Sequence, residues 1–158
     1  MREEVKTSDT DEIRKVVEST GFFSPAEIEI AVELVEERLA RGDKSGYHFL
    51  IKEQSGGVIG YTCYGPIAGT QSSYDLYWIA VRDDCRGRGL GRELMARTED
   101  IIARRGGVRV YAETSSREQY EPTRRFYEAC GYVKEAFLKD FYASNDSKLI
   151  YVKEIKKC

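Results

Sequence analysis

The run Trp78-Ile79-Ala80-Val81-Arg82-Asp83-Asp84-Cys85-Arg86-Gly87-Arg88-Gly89-Leu90-Gly91-Arg92 decides how the rest of the chain is read. It opens as a β-branched strand, passes through a short polar turn and ends in a loop of glycine and arginine. Beyond it Leu90, Leu94 and Ile101, with Met95, Thr98 and Ile102 beside them, recur at helical spacing, so a helix starts at Gly89 or Leu90. Arginines at a helix start oppose the positive end of the macrodipole, where acids normally sit. A local rule broken in this way points to a missing partner, here a polyanion such as phosphate. Glycines without Cβ atoms let backbone N–H groups approach phosphate oxygens, the helix N-terminus aims free donors at the same place, and Arg86, Arg88 and Arg92 add charge-assisted hydrogen bonds.

Two other phosphate motifs fail on spacing: there is no G-K-[ST], and the glycines Gly87, Gly89 and Gly91 run G-x-G-x-G rather than G-x-G-x-x-G. Two alternatives stay open. A solvated Arg/Gly loop could touch RNA, and Glu113, about twenty residues past the glycines, stands where a dinucleotide fold places its ribose acid.

At 158 residues the chain suits one domain, residues 1–158, with a core large enough to fold without staples. Lys and Arg total 25 against 27 Asp and Glu, which excludes the basic field of a general nucleic-acid binder. No apolar run is long enough to span a bilayer, and Met1-Arg2-Glu3-Glu4 has no signal-peptide core, so a soluble cytoplasmic protein is expected, with no membrane partner. Cys63, Cys85, Cys130 and Cys158 are irregularly spaced without C-x-x-C, which argues for reduced thiols and against a metal site. His48 has no ligand neighbour at useful spacing and is assigned no chemistry.

Along the chain, Glu4 to Thr7 reads as a short strand, followed by a helix capped by Asp9 with Glu12 as its reciprocal partner and Ile13, Val16 and Val17 as its apolar face. Ser24-Pro25-Ala26-Glu27 starts a second helix carrying Ile28, Val32, Val35 and Leu39 to Gly42. Phe22-Phe23 between them reads first as a core plug. Tyr47 to Glu53 and Val58 to Tyr64 form a hairpin, and Tyr74 to Val81 leads into the glycine loop. Gly106-Gly107 ends the long helix, and Val108 to Ala112 completes a right-handed βαβ unit whose strands run parallel. Glu121-Pro122 begins a helix that Gly131 ends, and Tyr132 to Phe141 with Lys148 to Glu154 close an antiparallel pair. The fold class is therefore α/β, a mixed and mostly antiparallel sheet with one parallel pair and helices on both faces.

Arg86-x-x-Gly89-x-Gly91, directly after the strand ending Ile79-Ala80-Val81, resembles the acyl-CoA pyrophosphate loop of the GNAT superfamily of N-acetyltransferases. Phe126-Tyr127-Glu128-Ala129-Cys130-Gly131-Tyr132 resembles that family's second signature, and the two together span about Asp75 to Tyr132. The resemblance implies acetyl-CoA as co-substrate and a parallel strand pair that splays to admit the pantetheine arm. Ile79, Ala80 and Val81 would bond that arm, and Arg86, Gly87, Arg88, Gly89, Leu90, Gly91 and Arg92 would take the pyrophosphate. Ile79 N–H would be the oxyanion donor, Asp75 the general base and Tyr127 the acid for the departing thiolate. Glu113 competes with Asp75 for the base role. Period-two alternation places Asp75, Tyr77, Ile79 and Val81 on one face.

The chain departs from the family where Tyr120 replaces the usual asparagine six residues before Phe126, and where Thr114 to Gln119 is longer than usual. No role is assigned to Tyr120. The acceptor would be a primary amine on a small molecule, amino acid or peptide, met by direct transfer in a ternary complex, with Phe22, Phe23, Asp140, Tyr142 and Asp146 as candidate lining. Cys130 is the thiol that would challenge direct transfer. A homodimer is allowed. The alternative from another class is an acyl-CoA-binding sensor without turnover.

Overall fold

The computed structural model describes residues 1–155. Four helices, α1 (Asp9–Ser19), α2 (Pro25–Arg41), α3 (Leu90–Arg104) and α4 (Glu121–Ala129), accompany six strands: β1 (His48–Gln54), β2 (Gly57–Pro66), β3 (Ser73–Val81), β4 (Arg109–Ser115), β5 (Val133–Ala143) and β6 (Asp146–Glu154). The strands form one mixed sheet in the order β1-β2-β3-β4-β6-β5, with β3 and β4 as the parallel pair. The expected α/β class and βαβ crossover are both present. The described residues form two compact units, each discontinuous in sequence: Met1–Gly65 with Tyr77–Thr98, and Pro66–Leu76 with residues 99–155.

In the first unit β1 and β2 pair antiparallel around Ser55 and Gly56, whose φ values of 54° and 79° give the doubly left-handed turn that suits strand twist. From Val58 to Gly65 every residue of β2 is buried, because helices cover both of its faces. Ile13, Val16 and Val17 of α1 and Ala31 and Val35 of α2 pack with Phe49, Ile51, Tyr61 and Cys63 on one side. On the other, Gly60 lies under Leu90 and Leu94, and the hydroxyls of Thr62 and Thr98 meet at 2.7 Å. Ser24 Oγ accepts the Glu27 N–H at 3.2 Å with Pro25 in the first turn, as its sequence predicts. Phe23 packs against this core and Trp78, at 4.9 Å between ring centroids, which makes it the plug expected.

Three local expectations fail. Glu4 to Thr7 forms no strand; a single bridge, between Arg2 and Ile51, lies just before it. Asp9 does not cap α1 through a box with Glu12. Its buried carboxylate takes both terminal nitrogens of Arg2, at 2.8 and 2.7 Å, and the Lys6 N–H at 2.7 Å, while Glu12 accepts the Val58 N–H at 3.1 Å. Tertiary partners outbid the helix end for these acids. Leu39 is exposed rather than part of the α2 apolar face, since that face ends with Val35.

In the second unit β4 pairs antiparallel with β6, and β6 with β5, which is the edge strand. Both helix ends here close by the same device. Gly106 N–H bonds Ala103 O (3.0 Å) and Gly107 N–H bonds Ile102 O (2.9 Å); Gly131 and Tyr132 N–H repeat this on Glu128 O and Tyr127 O, each at 3.0 Å. Gly106 and Gly131 have φ of 90° and 91°, the left-handed residue this closure requires.

Candidate active site

The glycine-arginine loop lies in the first unit. Gly87 (φ 76°) and Gly89 (φ 78°) are left-handed, and a Cβ on either would meet nothing within 4 Å, so the loop backbone is open to a ligand on that side. Gly89 O accepts the Glu93 N–H at 3.1 Å, which starts α3 where its periodicity predicts. The first N–H groups of α3 have no intrahelical acceptor and supply donors there. Arg86, Arg88 and Arg92 are exposed. Arg86 lies 3.6 Å from Asp83, whereas Arg88 and Arg92 enter no ion pair among the described residues. Arg82 grips Asp84 at 2.6 Å, and the Asp83 N–H donates to Ser19 Oγ at 3.1 Å, anchoring the loop to the end of α1. These contacts fit a loop held at its base with its arginines turned outward, the arrangement a diphosphate needs.

The second unit holds the acid candidates. The parallel ladder pairs Ser73 to Leu76 with Arg109 to Ala112 and stops there, although β3 runs on to Val81 and β4 to Ser115. Asp75 stands opposite Tyr111, Tyr111 opposite Val152, and Glu113 opposite Ile150, so these side chains share one face. On that face an open cleft of about 420 Å³ is lined by Asp75, Tyr111, Glu113, Glu135, Ala136 and Ile150, among others. Burial, and then the charge of Glu113, push the Asp75 carboxyl above its ordinary range, while Lys148 works against the rise. Lys148 Nζ meets Glu113 Oε2 at 2.8 Å and lies 4.3 Å from the centre of the Phe141 ring. The structure thus brings Asp75 and Glu113 together in different settings: Glu113 is paired with a lysine, and Asp75 is in no ion pair among the described residues.

Tyr127 is on the other side of these strands. Its buried ring packs at 5.8 Å on Tyr151, which pairs with Ala112 and so faces away from Glu113 and Ile150, and at 5.9 Å on Tyr132. Burial raises the phenol above its ordinary range, and its hydroxyl makes no hydrogen bond among the described residues. It is therefore a protonated donor with no acceptor among the described residues.

Of the suggested acceptor residues, Tyr142 lies near enough to Glu113 for that charge to raise its phenol, after burial as the larger cause. Asp146 is held by Ser115 Oγ and by Arg117 at 3.3 Å, and Asp140 by the Asn145 N–H at 3.0 Å, so both carry structural duties. The long Thr114 to Gln119 segment is tied down by Arg124, which donates to Ser115 O and Arg117 O at 2.7 and 2.9 Å, and Tyr120 takes Arg117 over its ring at 5.3 Å. Lys148 and Arg124 were absent from the expected site, and no local pattern marks either one. Cys63, Cys85 and Cys130 are in no disulfide, and Cys158 lies outside the described residues. Among the described residues no cluster could hold a metal, and no helix is long and apolar enough to cross a membrane.

Comparison with curated proteins gives no match. A solved structure described as an acetyltransferase of the GNAT family from Desulfovibrio desulfuricans is 46% identical, with 98% of each chain covered and a TM-score of 0.96. An aminoglycoside 6'-N-acetyltransferase complexed with coenzyme A is 18% identical over 99% of this chain and 98% of its own, with a TM-score of 0.74. The ribosomal-protein-S18-alanine N-acetyltransferase from Escherichia coli is 17% identical, covers 99% and 94%, and also has a TM-score of 0.74, so these two speak for the fold alone. The model of the acetyltransferase (GNAT) family matches residues 14–132, the span that holds the arginine loop, both acids and Tyr127, and with it the chain belongs to the GNAT acetyltransferase family.

Proposed function

We propose that this chain is an acetyl-CoA-dependent N-acetyltransferase that moves the acetyl group directly to a primary amine of a small molecule, amino acid or peptide. The observation that carries the reading is the loop from Arg86 to Arg92. Two left-handed glycines with open Cβ positions stand beside two arginines that have no counter-ion among the described residues, at a helix start. Acetyl-CoA supplies the activated thioester.

The chain supplies the rest. Arg86, Arg88 and Arg92, with the backbone from Gly87 to Gly91, hold the diphosphate. The Ile79 N–H donates to the acetyl carbonyl oxygen as charge grows there, and the neighbouring backbone of Ala80 and Val81 positions the thioester arm. Asp75 takes a proton from the amine as the C–N bond forms, directly or through water. The C–S bond breaks with its electron pair on sulfur, and Tyr127 delivers the proton that the sulfur accepts. Glu113, held by Lys148, sets the field around Asp75 instead of acting as base. The reading includes a cytoplasmic location.

The test is CoA release from acetyl-CoA across a panel of amino acids, polyamines, aminoglycosides and peptides with free N-termini or lysines, with calorimetry of CoA binding alongside. Heat of binding with no amine-stimulated release would leave an acyl-CoA sensor instead. Absence of binding heat would remove the loop assignment and everything built on it.

A further inference from the structure

One primary amine of the chain already stands on the face that carries the acids. Lys148 lies on β6 in step with Ile150, so it shares the face of Tyr111 and Glu113, and its side chain is only 13% exposed. Its Nζ lies 2.8 Å from the Glu113 carboxylate and 4.3 Å from the centre of the Phe141 ring, and its charge reaches Asp75. Other lysines of these strands are placed differently. Lys153 pairs with Val110 on the opposite face and binds Glu99 at 2.8 Å, while Lys134 and Lys139 of β5 are exposed. Lys148 also stands at a telling level of the sheet. It pairs with Ser115, past Ala112, the last rung of the parallel ladder, and so flanks the stretch of β4 that the ladder leaves unpaired.

We propose that Lys148 is itself an acetyl acceptor: when no other amine fills the cleft, the chain moves the acetyl group from acetyl-CoA to its own Lys148 Nζ, an inference that rests on the acetyltransferase reading above. The N–C bond forms at Nζ as the C–S bond breaks with its electron pair on sulfur. The ammonium sheds two protons. Glu113, in contact with it, takes one before attack and yields it to water. The other leaves as the amide forms and makes good the proton that Tyr127 gives to sulfur.

A tethered amine needs no encounter, so the ion pair that slows its attack is offset by its high effective concentration beside the thioester. An outside acceptor taken up by Asp75 competes with it for the same acetyl group. The product changes the site. Acetylated Lys148 is neutral, which strips Glu113 of its cation and removes the charge that works against the rise at Asp75. The base is then protonated to higher pH and the cleft is more crowded, so self-transfer shuts the site when acceptor is scarce.

The test incubates the full chain, at about 1 to about 100 µM, with acetyl-CoA and no amine, and follows intact mass and peptide maps. Lys148 should gain one acetyl group at a first-order rate that is independent of chain concentration and falls at least about tenfold under excess CoA. Lys148→Arg keeps a cation beside Glu113 and Phe141 without a competent nucleophile, and should gain no acetyl group on the same timescale while melting within a few degrees of the unmodified chain. Labelling of Lys148 that rises with chain concentration, ignores excess CoA or is no faster than at Lys134 and Lys139 is free-solution chemistry and overturns the proposal. A chain that binds CoA and releases it to an added amine, yet leaves Lys148 bare, overturns this inference alone. Absence of binding heat with CoA removes the acetyltransferase reading, and self-transfer with it.

Discussion

Replacing Tyr127 by Phe isolates the proposed acid from the core residue that carries it. The ring contacts with Phe126, Tyr132 and Tyr151, at 5.8 to 5.9 Å, survive the change. The lost hydroxyl has no hydrogen-bond partner among the described residues, so no buried group is orphaned. Stability should therefore change by less than about 1 kcal/mol, a shift of only a few degrees in Tm. Turnover is different: loss of a positioned acid at the leaving sulfur should lower kcat by about 100-fold, or about 2.7 kcal/mol of transition-state stabilisation. Burial raises this phenol, so it remains protonated through the neutral range, and no loss of activity from its ionisation should occur below its ordinary value of about 10. The assay is thiol release in single turnover, with a thermal melt on the same sample. Unchanged single-turnover rate in a folded variant refutes the acid role, and a large drop in Tm refutes the reasoning about packing.

Asp75→Asn should abolish the acid limb of the kcat/KM profile. In the unmodified chain the midpoint should lie above the ordinary carboxylate value; Glu113→Gln should lower it and Lys148→Met raise it, and a midpoint indifferent to both would sink the cleft assignment. The stability sign follows from the same rise: a raised native pKa favours the fold at low pH, and this is lost as pH climbs through that pKa. Asp75→Asn should thus stabilise at neutral pH and be neutral near pH ~3, as paired melts would report. Arg88→Ala and Arg92→Ala should each raise KM for acetyl-CoA by about tenfold with kcat little changed, more steeply at low salt; equal KM values would remove them from the diphosphate site. Arg2→Ala leaves the Asp9 carboxylate, only 1% exposed, with the Lys6 N–H as its remaining partner, and should cost about 3 kcal/mol in urea unfolding; a loss below about 1 kcal/mol would show that water replaces the guanidinium.

Elements set by local chemistry were legible in the sequence. The start of α3, the Ser24 cap, the hairpin of β1 and β2 and the glycine closures at Gly106 and Gly131 each depend on residues a few positions apart. The βαβ unit followed from connection handedness, and the arginine loop from its conflict with the helix dipole. Contacts across the sheet were not legible. Asp9 and Glu12 have the spacing of a capping box, but Asp9 is taken by Arg2, seven residues back, and Glu12 by the Val58 N–H, 46 residues on, a contact no window of sequence contains. Glu4 to Thr7 looks like a strand but has no partner edge. The insertion of β6 between β4 and β5 put Lys148 beside Glu113, and only that placement distinguishes the two acids. Tyr127 was read from its frame in the motif; that it sits behind the strands, away from Asp75, needed the register.

That last arrangement separates two proton traffics. Under the proposed roles, a hydron drawn off the incoming nitrogen would exit into the open cleft, whereas the one destined for sulfur would come from a phenol packed among tyrosines, and neither would have to pass the other. The two groups should then fail independently: free-energy losses in Asp75→Asn and Tyr127→Phe should add in the double variant, and a bulky ligand stoppering the cleft should stop the whole exchange, since in a direct transfer sulfur departs only once nitrogen has attacked.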